Sequence, residues 1–345
     1  MKFEPVTIKD IAKALKLSTS TVSRALSDSY QISPKTKKVV ADYAAKINYQ
    51  PNPIAQSLKV RKSHTIAVVV SELANSFFSQ VIDGVDTLAH EKGYNVIIAQ
   101  SHEKFDIEES ILKYLSGRSV DGIIISVSLE TKDFSFLKEL KQRGMPIVFV
   151  DRIANDLDTH KVILNNYKAS YDATTYLIKR GYKRIAALAS VVNLSITQER
   201  LAGYMAALND NRISINNNYI RHCKPGATLG EEIAKVVGYF QRLKQKPDAV
   251  IGLSDKLTTG MLREMVRQKI KIPDEMAIMG FSNNDLTELF SPPLSIIKQP
   301  AFEMGKVATE LLIRLIESKR PITEFITKIL EPEHIIRESV IKGKR

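Results

Sequence analysis

The chain is expected to fold as a small all-α helix-turn-helix domain followed by a two-lobed α/β domain, with parallel sheets between layers of helices. Three observations carry this expectation. Residues 1–62 hold ten lysines and two arginines against Glu4, Asp10, Asp28 and Asp42, about +8 of the +12 net charge of 345 residues. Their apolar residues recur at helical spacing behind short polar caps. From Thr65 onward, strand-length apolar runs alternate with amphipathic helical stretches, which argues for parallel sheets covered on both faces.

Thr7 followed by Asp10 predicts a helix N-cap with an acidic partner in the first turn, and Ile8, Ile11, Ala12 and Leu15 form one apolar stripe. After Lys16-Leu17, Ser18 can cap a second helix that turns Val22, Ala25 and Leu26 inward and Thr19, Ser20, Ser23 and Arg24 outward. Two helices joined so closely, the second with a small polar N-terminal face, form a helix-turn-helix whose second helix can enter a major groove. Ser33-Pro34 starts a third helix, with Val39, Val40, Tyr43, Ala44 and Ile47 expected inside and Lys35, Lys37, Lys38 and Lys46 outside, where phosphates can reach them. Two prolines in Pro51-Asn52-Pro53 then end the pattern as a linker. Ile54 to Lys59 has helical spacing but is too short to be stable alone in water.

Val-Thr-Ile-x-Asp-Ile-Ala at 6–12 and Ser-x-x-Thr-Val-Ser-Arg-Ala-Leu at 18–26 resemble the DNA-binding headpiece of the LacI–GalR family of bacterial transcription regulators. The resemblance implies DNA contacts from Thr7, Ser18, Thr19, Ser20, Thr21, Ser23 and Arg24. Pro53-x-Ala55-x-x-Leu58 resembles the family's hinge helix, which folds when two subunits pair on DNA and wedges a leucine into the minor groove. Leu58 matches the wedge, with Asn52, Ala55 and Lys59 beside it. Apolar wedges of this kind kink a duplex. The expected division is a headpiece at 1–50, a hinge at 51–62 and an effector domain at 63–345. Its first lobe takes about 63–163 and 294–325, its second about 164–293 and 326–345. By the same resemblance, the effector domain is similar to periplasmic sugar-binding proteins.

Catalysis and metal binding have little to rest on. Cys223 is the only cysteine, and the six histidines are scattered without an i, i+4 pair. There is no phosphate-binding glycine loop and no nucleophile elbow. No enzyme activity, cofactor or metal is therefore expected. The longest apolar runs are strand-length and no signal-peptide core opens the chain, so a cytoplasmic protein without membrane attachment is expected.

Ligand chemistry is better supported, because open α/β sheets bind ligands beyond the carboxyl ends of their strands. Asn75, Phe77 and Phe78 follow the first strand, Asp151 and Arg152 the fourth, and Asp255 the strand Ala249 to Leu253; Arg200 lies beyond the strand ending near Ala189. Aromatic faces with amide, carboxylate and guanidinium groups suit a small polyol. These positions also resemble the family's sugar-contacting ones, with one departure. The family usually has an aspartate after Gly-Phe, whereas Gly280-Phe281 is followed by Ser282. The sequence thus points to a ligand-responsive regulator, by resemblance a repressor, acting as a homodimer on a pseudo-palindromic double-stranded DNA operator and answering to a sugar or sugar derivative. A purine or a phosphoprotein co-regulator is the narrower alternative, and a sugar-binding or carbohydrate-processing protein the rival from another class.

Overall fold

The computed structural model describes residues 6–50, 62–117, 120–191, 194–224, 226 and 228–342. They divide into two compact units between Ser63 and His64.

The N-terminal unit contains helices α1 (Ile8–Leu15), α2 (Thr19–Leu26) and α3 (Pro34–Lys46). The caps are those the sequence encodes. The Asp10 carboxylate accepts from the Thr7 backbone N–H at 2.8 Å and from its hydroxyl at 2.7 Å, which holds the Asp10 carboxyl below its usual range. Ser18 Oγ accepts from the Thr21 N–H at 3.0 Å, and Ser33 Oγ from the Thr36 N–H at 3.2 Å. Ile11, Ala12, Val22, Ala25, Val40 and Ala44 make the buried centre. Val39 is a correction: it is 46% exposed, because it sits one position, about 100° of helix, away from the Val40–Tyr43–Ala44–Ile47 stripe. The proposed hinge residues Asn52, Ala55, Leu58 and Lys59 lie outside the described residues.

The second unit has two six-stranded sheets. The first contains β1 (Thr65–Val70), β2 (Asn95–Gln100), β3 (Gly122–Ile125), β4 (Ile147–Val150), β5 (His160–Leu164) and β11 (Thr327–Leu330), in the order β11-β5-β4-β3-β1-β2, all parallel. The second contains β6 (Ile185–Ala189), β7 (Ile220–His222), β8 (Ala249–Gly252), β9 (Ala277–Phe281), β10 (Ser295–Lys298) and β12 (Glu333–Ile335), in the order β12-β10-β9-β8-β6-β7. Only its β10–β12 pairing is antiparallel.

Two lobe assignments need correction. Ser295–Lys298 pairs with β9 and so belongs to the second lobe, whereas Thr327–Leu330 pairs with β5 and belongs to the first. Both are four-residue strands, and their local pattern carries no information about which sheet they join. The chain passes between lobes after Leu164, between Lys298 and Ala301, and between Leu330 and Glu333. Strand β2 also departs from the expected buried run, with Ile97 41% and Ile98 45% exposed at the sheet edge.

In the first lobe, α4 (Ser76–Glu91) packs against α11 (Ala301–Glu317), and both cover the sheet's apolar face. Two glycines let the helices touch backbone to backbone. A Cβ on Gly84 would lie 2.0 Å from the Phe302 carbonyl oxygen, and one on Gly305 2.1 Å from that of Val81. Helix α4 opens with the aromatic pair at the cleft, so this contact helps set where the pair stands. Gly305→Ala should therefore destabilise the protein by about 1–3 kcal/mol despite the gain of about 1 kcal/mol in helix propensity, because neither backbone can yield cheaply. A urea midpoint at or above that of the wild type would contradict the close-packing argument.

Candidate functional site

On the headpiece, Thr19, Ser20 and Arg24 are exposed along α2, Ser23 and Thr21 are partly covered, and Thr7 is exposed at the start of α1. Not all of these groups are equally available. The Ser18 hydroxyl is engaged with the Thr21 N–H and also lies 2.8 Å from both Ser20 Oγ and Thr21 Oγ1. Thr7 is tied to Asp10. Thr19, Ser23 and Arg24 are thus the side chains of the set least committed to holding the helix. Lys37, expected among the outward lysines, instead pairs with Asp28 at 2.7 Å and donates to its carbonyl at 3.1 Å.

Between the two lobes, all eight residues expected at strand ends line one chamber of about 70 Å3: Asn75, Phe77, Phe78, Asp151, Arg152, Arg200, Asp255 and Ser282. Asn75 caps α4 by accepting the Phe77 N–H at 2.9 Å. The Phe77 and Phe78 rings meet edge to face at 5.2 Å and belong to the first lobe's core as well as the chamber wall. Asp151 stands in the left-handed backbone region, φ 63°, and is 95% buried on its 5% relative exposure. Burial pushes its carboxyl up, against the pull of Arg200 and Arg152, and its Oδ1 has no hydrogen-bond partner among the described residues.

Arg200 is held from several directions. Its Nε donates to Asn166 Oδ1 at 2.8 Å, Nη1 to the Leu253 carbonyl at 2.8 Å and Nη2 to Gln299 Oε1 at 2.9 Å, and the guanidinium lies 3.7 Å from the Phe281 ring centre. Burial lowers its pKa to about 10. On the same lobe, Ser282 donates its hydroxyl to Asp255 Oδ1 at 2.5 Å and accepts the Asn284 N–H at 3.2 Å. Burial raises the Asp255 carboxyl, with the Ser282 bond and Lys256 acting against it. The acid missing at 282 is thus replaced by a serine that orients a carboxylate from the neighbouring strand end.

The sequence reading missed Glu103. It receives both terminal nitrogens of Arg152, at 2.6 and 2.9 Å, and accepts the Leu129 N–H at 2.8 Å. Burial alone would raise the Glu103 carboxyl, but the Arg152 charge and these bonds outweigh it and hold it low. The strand-end rule applied to β2 would have found it. Beyond the chamber, a cleft of about 290 Å3 shares Asn75, Phe78, Arg152, Ile196, Ser254 and Asp255 with it and adds Gln100, His102, Glu103, Lys104, Leu129 and Leu229 to its walls. Two ion pairs at 2.5 Å lie on this cleft: Lys104–Glu130, and Lys256–Glu72, which joins the lobes.

Removing Glu103 would leave a largely buried guanidinium without its carboxylate. Glu103→Ala should cost about 2–4 kcal/mol, seen as a lower urea midpoint. Because the folded carboxyl is held low, the Glu103 contribution is present above the unfolded value of about 4.5 and is lost as pH falls through the folded value. A midpoint difference between wild type and Glu103→Ala that stays constant from pH 7 to pH 3 would contradict this assignment.

Among the described residues no helix is long and apolar enough to cross a membrane, and no group of three His, Cys, Asp or Glu side chains could hold a metal ion. Residues 63–333 match the family described as periplasmic binding proteins and sugar binding domain of LacI family, and residues 7–52 match bacterial regulatory proteins, lacI family. The ribose operon repressor of Haemophilus influenzae is 33% identical over 98% of this chain and 99% of its own length. The transcriptional repressor PurR of Vibrio campbellii is 30% identical over 97% and 99%. The structure of the Lac repressor dimer bound to operator and an anti-inducer superposes with a TM-score of 0.81 at 22% identity, covering 98% of this chain and 100% of that one, and so shares the fold. With its helix-turn-helix unit and interlobe cleft, the chain belongs to the LacI family of bacterial regulatory proteins and is a ligand-responsive, DNA-binding transcription regulator.

Proposed function

We propose that this regulator is a cytoplasmic repressor that binds as a homodimer to an approximately inverted-repeat operator, with a sugar or sugar derivative as its effector. It acts by binding, with no catalytic step. The observation that carries the effector reading is the buried, unpartnered Oδ1 of Asp151 in a chamber that also presents Phe77, Phe78, Arg200 and Asp255. A buried carboxylate oxygen without a partner is costly, and a ligand hydroxyl satisfies it. Aromatic edges and faces beside fixed acceptors and donors suit a polyol.

The dimer is supported by the apolar surface of the first lobe. Ile97 and Ile98 on β2, with Ile107 and Tyr114 on α5 (Phe105–Ser116), are each at least 39% exposed on a sheet edge that no strand pairs among the described residues and on the helix that follows it. Exposed apolar groups on a sheet edge call for a cover. A two-fold dimer carries two headpieces, which accounts for the inverted repeat. In this scheme Thr19, Ser20, Ser23 and Arg24 read bases, while Thr7, Ser18, Thr21 and residues 51–62, with Asn52, Ala55, Leu58 and Lys59, complete the DNA contact.

A ligand that closes the cleft alters DNA affinity only through its different affinity for the open and closed lobe arrangements. Since protonation removes acceptors from Asp151 and Asp255, whose carboxyls burial has raised, effector affinity should fall over the interval from neutral pH down to the ordinary carboxylate value of 3.8. Calorimetric titration showing unchanged affinity over that interval would contradict their acceptor role. For the DNA half, selection of binding sites from random duplexes by the full chain should return inverted repeats. Arg24→Ala should lose about 1–3 kcal/mol of specific binding and relax one position of each half-site. Direct repeats, or an unaltered preference in the variant, would reject the assignment.

A further inference from the structure

The proposed sugar site has two compartments, and the second has no occupant assigned so far. The inner chamber, about 70 Å3, is far smaller than the roughly 300 Å3 at which small-molecule pockets begin, while the outer cleft of about 290 Å3 that opens from it lies near that limit. A ligand that satisfies Asp151 must therefore project outwards past Phe78 and Ile196, which line both spaces.

The outer walls indicate what projects. Their cations are already matched: Arg152 with Glu103, Lys104 with Glu130, and Lys256 with Glu72. A phosphate or carboxylate on the ligand would compete with these carboxylates for their cations and would lie beside Glu103, Glu130 and Asp255 on the same walls. The projecting part is thus uncharged. Among the described residues Phe78 is the only phenylalanine, tyrosine or tryptophan on this cleft, and Leu129, Leu229 and Leu257 supply aliphatic wall, which offers little for a flat base to stack between.

The backbone singles out one side chain in this compartment. His102 and Glu103 are consecutive non-glycine residues with φ of 53° and 62°, a conformation that is held only where surrounding structure enforces it. The turn delivers Glu103 to Arg152 and places His102 on the cleft wall. There Gln100 Nε2 donates to His102 Nδ1 at 2.8 Å, which leaves Nε2 as the protonated nitrogen and a donor.

We propose that the effector is a neutral saccharide of at least two rings. One ring enters the inner chamber by one edge, with its hydroxyls against Asp151 and Arg200, and the next lies wholly in the outer cleft, where His102 Nε2 donates to one of its hydroxyls and the leucines cover its apolar face. This inference rests on the sugar reading of the same site.

The test is calorimetric titration of the full chain with D-glucose, D-galactose and D-ribose, with cellobiose, maltose, lactose and trehalose, and with glucose 6-phosphate and adenosine. At least one disaccharide should bind tenfold or more tightly than its component monosaccharides. His102→Ala and His102→Gly should both lose about fivefold for that disaccharide and less than twofold for the monosaccharides. The glycine variant relieves the backbone, so agreement between the two isolates the lost donor. His102→Asn tolerates the same backbone and restores a donor, and should recover most of the affinity. A monosaccharide as tight as every disaccharide, or an equal loss for both sizes in the histidine variants, would overturn the two-ring inference and leave the sugar reading standing. Failure of every sugar at millimolar concentration, or glucose 6-phosphate or adenosine binding more tightly than all of them, would overturn both.

Discussion

The buried guanidinium of Arg200 is the interaction on which the cleft depends. Taking an arginine out of water is costly unless its donors are met, and here three of them are met by groups from different parts of the chain. Asn166 opens the first helix after the chain leaves β5, Leu253 ends the strand region of β8, and Gln299 stands where the chain passes back towards α11. Phe281, at the end of β9, covers the guanidinium face. One side chain thus fixes two strand ends of the second lobe to two of the three passages between lobes.

That arrangement gives a physical route from ligand to lobe geometry. The inner chamber is bounded by Arg200 and Asp255 on one side and by Phe77, Phe78 and Asp151 on the other, so a ligand that touches both sides favours one lobe arrangement over others. Asn283 extends the route. Its amide donates to Gln80 Oε1 at 2.7 Å and to the Gln299 carbonyl at 2.7 Å, while its carbonyl oxygen accepts the Gln299 N–H at 3.1 Å. Gln80 lies on α4, one turn beyond the aromatic pair, and donates in return to the Asn283 backbone oxygen at 3.0 Å. The helix that carries Phe77 and Phe78 is therefore hydrogen-bonded to the same passage that holds Arg200.

Much of this was legible in the sequence, for reasons that differ between the two units. The headpiece is written in local chemistry: Thr7 with Asp10, Ser18 with Thr21 and Ser33 before Pro34 all act within one helical turn. The eight cleft residues were legible because parallel strands place whatever follows their carboxyl ends at a common edge. Their partners were not. Glu103 meets Arg152 across 49 positions, and Gln299 meets Arg200 across 99, with no spacing rule to connect them. The sheet membership of Ser295–Lys298 and Thr327–Leu330 was hidden in the same way, since it is decided by long-range pairing. Val39 failed for a simpler reason: it lies about 100° of helix away from the Val40 stripe, and the three-helix core is too small to cover so wide a face.

The central claim is that occupancy of the cleft changes DNA affinity through Arg200, and operator binding of Arg200→Lys tests it most directly. Lysine keeps the charge but cannot span Asn166, the Leu253 carbonyl and Gln299 together. Anisotropy of a labelled inverted-repeat duplex would be measured with and without a saturating saccharide, for the variant and for the wild type, after a cooperative urea transition well above the assay conditions has shown that both are folded. The account predicts that the saccharide shifts operator affinity at least fivefold in the wild type and less than twofold in the variant, with equal affinities in its absence. A shift of the same size in both proteins, or none in the saccharide-bound wild type, would contradict it.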